Sequence, residues 1–419
     1  VDTSEIPNIG SATARLNAKS LVVKRPVREY LIGYLPTKTV EKLNRHALEL
    51  YFGDKWSSGA IKPPKGTRFD ERTCESWKID NATLLIMREA KDAIEAGTHA
   101  RIANAANLAN SYCSSLYNGE HYDSLIRAAT DFLAMYRDLD GHEVRRTNIE
   151  LLLGRALRMS GDHQECINVL TRVVGENVSN DAKSIALLSL ALASESLDLD
   201  ADALTYAKQC IEINKVSRDA LHARSVIVGI ESEGHPKRKE KLLKLAREAE
   251  KSGATTIASN VRLQCMHEER DDDEKLALAR RVLEDSKVRR DDHYNAMRAM
   301  LCICKITVSA GKPLSDLDLD RVIDAYHYLV NESMDSLFGL AHGVLWGHFA
   351  LAGDVVNLLS LFRHSSFKWQ LRGKGSLDHK YATEVIRLLG GLTPGGSLRS
   401  SRETTYLFLR SGQGLKKLE

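Results

Sequence analysis

Apolar residues recur at every third or fourth position through most of this chain, in blocks separated by short turns of Gly, Asp, Ser and Asn. That period is the mark of one buried helix face. It predicts helices over residues 80–96, 98–117, 121–138, 144–160, 163–174, 180–197, 200–213, 217–233, 237–251, 254–269, 272–286, 290–310, 316–331, 335–352, 354–363 and 378–390. Helix following helix across turns this short gives antiparallel hairpins that stack on one another. The chain opens differently. Residues 1–20 are polar and small, and residues 20–24 read as a short strand ending before Pro26. Two helical patterns follow over 27–35 and 39–52, parted by Pro36-Thr37-Lys38. A loop from Gly53 to Phe69, centred on Pro63-Pro64-Lys65-Gly66, is the clearest boundary. Four segments result: a distinct piece at 1–52, a linker at 53–79, the helical array at 80–363 and a basic cap or tail at 364–419.

Within the array one stretch sets the register. Leu153-Gly154, Leu157, Gly161, Cys166, Leu170 and Val173 alternate large and small residues as the tetratricopeptide pattern does, with Val178 where that pattern closes on Pro. The next unit supplies Leu190-Ala191, Ser194, Asp198, Ala203, Ala207 and Cys210, so Cys166 recurs as Ala203, 37 residues on. Looser copies pair Ile227-Val228-Gly229 with Leu245-Ala246 and Ala249, Met266 with Leu276-Ala277 and Arg280, and Met300-Leu301 with Gly311-Lys312-Pro313. One hairpin of this size cannot bury its apolar face alone. The fold expected is therefore all-α, a right-handed α-solenoid of tetratricopeptide-like hairpins, and the work expected of it is binding a protein or peptide.

Composition narrows the classes further. Eight prolines, four tryptophans and eight phenylalanines in 419 residues are too few for a β sandwich, whose strands draw on aromatic and β-branched side chains. No apolar run reaches the roughly 20 residues that cross a bilayer, and the first five residues are polar and acidic, so no membrane contact and a cytoplasmic location are expected. A start at Val1 rather than Met points to a fragment or a processed form. The net charge of +3 divides into +5 over residues 1–78, −9 across the middle and +7 over residues 363–419. The basic ends, the C-terminal one with Lys368, Arg372, Lys374, Lys380, Arg399, Arg402 and Arg410 and with Trp369 and Tyr406 nearby, would be the only places for nucleic acid, and the acidic middle argues against it.

The patterns that carry catalysis are missing. Arg372-Gly373-Lys374-Gly375-Ser376 lacks the first Gly of a phosphate loop and places its Lys early, so no nucleotide cofactor is expected. Fourteen histidines form no His-Glu-x-x-His or Glu-x-x-His pair; His121, His142, His163 and His222 fall in turns or at helix ends, and His342 and His348 on opposite helix faces. The seven cysteines occupy apolar helical positions and read as small core residues, and Cys302-Ile303-Cys304 lacks the partners of a zinc site. Neither a metal nor a catalytic residue is expected.

The residues ahead of the array carry a resemblance. Val22-Val23-Lys24-Arg25-Pro26-Val27-Arg28-Glu29-Tyr30-Leu31, with Leu43-Asn44-Arg45-His46-Ala47 and Leu50-Tyr51-Phe52, is similar to the end of the winged-helix module in STAND-type NTPases. In those proteins a short strand runs into such a helix, and tetratricopeptide-like sensor repeats follow. The resemblance implies that 1–52 is a winged-helix-like remnant and that the chain is the ligand-sensing half of a signalling ATPase, a bacterial immune or regulatory receptor of antiviral defence. It implies an upstream NTPase domain, a protein trigger on the repeats and release into an oligomer. Where such NTPases carry a nucleotide-sensing His, this chain has Lys24-Arg25. The residues themselves leave other roles open: a free-standing repeat adaptor, a DNA-binding transcriptional regulator, or the accessory subunit of an enzyme. In the register set by Leu153-Gly154, Asn148, Arg155 and Arg158 fall on the first-helix side that lines the concave face, where they would grip acidic groups or a peptide backbone.

Overall fold

The computed structural model describes residues 2–4, 20–22, 34–62, 68–137, 143–289, 292–371 and 375–391. Among them run seventeen α-helices: α1 (Thr37–Phe52), α2 (Ser76–Glu95), α3 (His99–Asn118), α4 (Tyr122–Tyr136), α5 (Glu143–Ser160), α6 (His163–Gly175), α7 (Asn180–Glu195), α8 (Asp200–Ile213) and α9 (Arg218–Glu231) come first. There follow α10 (Arg238–Lys251), α11 (Thr255–Glu268), α12 (Asp272–Arg289), α13 (His293–Ser309), α14 (Asp316–Asn331), α15 (Asp335–Leu351), α16 (Val355–Leu371) and α17 (Gly375–Gly391). Two three-residue strands, β1 (Asp2–Ser4) and β2 (Ser20–Val22), pair antiparallel with Thr3 opposite Leu21. The sequence foresees β2 but not its partner. The expected helix at 27–35, the motif through Leu31 and the tail beyond residue 391 lie outside the described residues.

All sixteen helices expected from residue 80 onward are present, and their ends agree to within four residues with one exception. Helix α16 runs eight residues past its expected end at Arg363, because Ser365, Ser366 and Trp369 continue its buried stripe. The Ser365 hydroxyl returns its proton to the Leu361 carbonyl at 2.8 Å, which lets a polar residue sit in the core. Trp369, which sequence reading sets beside the basic tail, is 2% exposed.

The chain divides into two compact units. Unit 1 comprises residues 1–119 and 131–145, and unit 2 comprises residues 120–130 and 146–419. Unit 1 is centred on Phe52, Phe69, Ile79, Ile86 and Tyr112, all almost fully buried. The segment after α1 folds back on it: Lys62 N–H donates to the Phe52 carbonyl at 2.8 Å, and Ser111 on α3 donates to the Gly59 carbonyl at 3.1 Å. Arg101 grips the buried Glu89 carboxylate with two nitrogens, at 2.7 and 2.9 Å.

Unit 2 is the helical array. Each first helix packs on the second helix of its hairpin, and the first helices α7, α9, α11, α13 and α15 also stack on one another in turn. Serine caps punctuate it: Ser179 and Ser217, 38 residues apart, accept the backbone N–H groups of Ala182 and Ala220 and open α7 and α9. The hairpin turn takes a left-handed residue, Gly161 (φ 89°) in one unit and Asp198 (φ 57°) in the next. Second helices bury Cys166, Leu170 and Val173, then Ala203, Ala207 and Cys210, then Leu242, Ala246 and Ala249. In α12 the expected register Leu276-Ala277-Arg280 is displaced. Ala279 and Val282 are buried there and Ala277 and Arg280 are exposed, which restores the 37-residue offset from Leu242 and Leu245. The acidic first turn Asp272, Asp273 and Glu274 stays in water.

Gly154 marks the closest approach within the leading hairpin. A Cβ at that position would lie 2.4 Å from both Cγ and Cδ2 of the fully buried Leu170. Gly154→Ala is therefore expected to destabilise the fold by about 1 kcal/mol, since overpacking costs about 1–3 kcal/mol and helix propensity returns about 1. Urea unfolding checks the sign: propensity acting alone would stabilise.

Candidate ligand groove

The stacked first helices carry a polar column at the repeat spacing. His222 on α9, Asn260 on α11 and Arg298 on α13 follow one another at 38-residue intervals, each half-buried. Arg298 Nη1 donates to Asn260 Oδ1 at 3.1 Å, and Asn260 Nδ2 lies 3.0 Å from His222 Nε2. Guanidinium groups only donate, so the Asn260 oxygen must face Arg298 and its amide nitrogen must face the ring. His222 then accepts at Nε2 and keeps its proton on Nδ1. Its electrostatics agree: burial, and after it the charge of Arg158, lower the His222 pKa to about 4.

Glu195, at the end of α7, is the counterpart. Burial raises it to about 7, Arg238 and Arg298 pull it back and Asp200 pushes it further up. Gly229 on α9 lies beside it, since a Cβ there would be in ordinary contact with Glu195 Oε1 at 3.4 Å and Arg238 Nη2 at 3.9 Å. Helices α7 and α13 belong to hairpins three apart, as α5 and α9 belong to hairpins two apart. The charges of Arg298 and Arg158 nonetheless reach Glu195 and His222 across these hairpins. A group raised in the folded state stabilises it below its unfolded pKa, and that contribution is lost as pH rises through the folded value. Glu195→Gln is therefore expected to flatten the fall in stability between about pH 4.5 and 7, as urea unfolding across that range would show.

Sequence reasoning placed Asn148, Arg155 and Arg158 on this side. Asn148 is half-buried on α5 and stands 74 residues, two repeats, before His222 in the same column, with Ile185 between them. The Arg155 charge acts on Asp219 and the Arg158 charge on His222, both on α9, and Arg158 acts on Cys166 of α6 as well. His222, Asn260, Arg298 and Glu195 were missed. The 38-residue spacing of the first three would have found them; His222 had been grouped with helix ends, whereas it is the fifth residue of α9.

Burial pushes the Cys74 and Cys304 thiols up to about 11 and Cys166 to about 12, far from the thiolate a nucleophile needs. Among the described residues no group of three or more His, Cys, Asp or Glu side chains is placed to hold a metal ion, and no helix is long and apolar enough to cross a membrane.

No protein-family model and no curated protein matches the chain. Among solved structures it is similar to the crystal structure of the APC/C hetero-tetramer Cut9–Hcn1, at 12% identity and a TM-score of 0.28, over 92% of this chain and 74% of that one.

Proposed function

We propose that unit 2 is a protein-binding scaffold whose inner face takes an extended acidic segment of a partner. The observation that carries this reading is the in-register column His222, Asn260 and Arg298, flanked by Arg158. Asn260 links Arg298 and His222 into one polar column, and Asn148, Arg155 and Arg158 extend the same face toward α5 with further groups that can donate to a carboxylate. We further propose that the scaffold is the ligand-sensing region of a STAND-type signalling ATPase, acting without catalysis of its own. Its support is the strand and Val-Arg-Glu-Tyr-Leu segment ahead of the repeats.

A phage-displayed library of linear peptides of about twelve residues tests the groove. Acidic sequences should be enriched, and the double variant Arg155→Glu, Arg158→Glu and the variant Arg298→Ala should each weaken the enriched peptide about tenfold or more, with helical circular dichroism unchanged. Enrichment of no peptide, or equal affinity in all three proteins, would remove the groove as the binding face.

A further inference from the structure

In a solenoid each repeat touches only its neighbours. Unit 2 breaks that rule where the start of α4 meets the junction of α14 and α15, 208 to 210 residues later. The Tyr328 hydroxyl donates to Glu120 Oε2 at 3.0 Å and lies 3.4 Å from the Glu120 carbonyl. Ser333 donates to Asp123 Oδ1 at 2.9 Å, and His121 Nδ1 stands 3.5 Å from Glu332 Oε1. His293, first residue of α13, places Nδ1 3.3 Å from the same Glu120 oxygen and sets its ring edge-on to Tyr328. The turn between α5 and α6 is drawn in as well, since a Cβ on Gly161 would stand 3.2 Å from Asp335 Cβ.

The backbone at this contact is held in a costly shape. Among the described residues three that are not glycine adopt left-handed φ angles: Glu120 (61°), Asp198 (57°) and Ser333 (59°). Asp198 occupies a hairpin turn where the unit before it uses Gly161. The other two are the residues on either side of the long-range contact, where each side chain must bear the left-handed strain. A second cost is the buried Glu332 Oε2, which has no hydrogen-bond partner. Bonds that hold two strained turns and a half-satisfied carboxylate are closer to balance than a packed core is.

We propose that Glu120, His121, Asp123, His293, Tyr328, Glu332 and Ser333 form a releasable clasp that closes the arc of hairpins from α5 to α15 on itself, and that its opening widens the groove lined by α7, α9, α11 and α13. The arc runs between the two clasped ends, so this contact restrains its curvature beyond what neighbour packing does. Release relieves both turns and lets the inner face spread.

The double variant Tyr328→Phe, Asp123→Ala removes the two shortest bonds without touching the groove. Small-angle scattering should show a larger radius of gyration, and amides in residues 118–123 and 331–335 should exchange together about tenfold faster, the factor expected for roughly one hydrogen bond's net contribution. Leu317→Ser, on the exposed face of α14, serves as the control and should change neither. Unchanged exchange in the two turns would show that no clasp exists, and faster exchange with unchanged scattering would show that it does not hold the arc. Neither readout needs a ligand, so failure here leaves the groove reading standing.

Discussion

Phe69→Ala is expected to cost unit 1 about 3–5 kcal/mol of stability, a large share of the 5–15 kcal/mol that holds an ordinary domain together. Phe69 belongs to no helix, yet it is 1% exposed. Its ring meets Tyr112 edge-on at 5.1 Å, Phe52 at 5.5 Å and Tyr51 at 6.5 Å, so it joins the end of α1 to the middle of α3. Aromatic pairs of this geometry add about 0.5–1.5 kcal/mol each beyond the area they bury. The gap left by alanine would not close readily, because the Tyr112 hydroxyl is tied to the Ile79 carbonyl at 2.8 Å and to Thr83 at 3.0 Å. Phe69→Leu keeps most of the volume and is expected to cost about 1.5 kcal/mol or less. Urea unfolding with hydrogen exchange of α1, α2 and α3 measures both. A loss for alanine below about 1 kcal/mol, the size of an average substitution, would mean the segment does not complete this core.

Phe69 also illustrates what a sequence can and cannot disclose. Helices were legible because a solenoid repeats one local solution: a stripe such as Cys166, Leu170 and Val173 returns as Ala203, Ala207 and Cys210, and each copy confirms the last. A lone aromatic between Pro63-Pro64 and a polar stretch has no period, and nothing local tells a buried loop residue from an exposed one. The α12 register failed for a related reason. Leu276, Ala277 and Leu278 offer two equally apolar alignments, and only packing against α11 and α13 chooses Ala279 and Val282.

Of the proposed groove, Arg155 and Arg158 are read from one well-formed repeat, whereas the His222, Asn260 and Arg298 column requires the period to be carried across three repeats whose apolar residues drift. The clasp was not legible at all. Its residues are separated by about five hairpins, and whether the ends meet depends on the sum of small rotations between successive repeats, none of which is written in any one helix. His121 looked like a turn residue for the same reason, although it is 3% exposed in the folded chain.

His342 supplies the largest expected pH effect. Its ring is fully buried on α15 among Trp346, Trp369 and Tyr381, at centroid distances of 5.9, 4.6 and 4.3 Å. The Ser365 hydroxyl spends its one proton on a backbone carbonyl, so the 3.1 Å contact with His342 Nε2 requires the ring to donate. The proton is thus on Nε2, and a second would have to sit on Nδ1, which has no acceptor. Burial, with a smaller push from Lys380, accordingly lowers the pKa to about 3 from the usual 6.5. The unfolded chain takes up a proton below about pH 6.5 and the folded chain does not, so acid favours unfolding across this window. Stability should fall by about 1.4 kcal/mol per pH unit from this ring alone, reaching about 5 kcal/mol near pH 3. Carboxylates titrate in the lower part of the window, and the comparison with His342→Phe isolates the histidine. That variant keeps a flat ring, and Ser365 retains its bond to Leu361. Urea unfolding at neutral pH and near pH 5 should show the wild type losing about 2 kcal/mol more than His342→Phe, whereas parallel losses would place a proton acceptor beside Nδ1 and overturn the assignment.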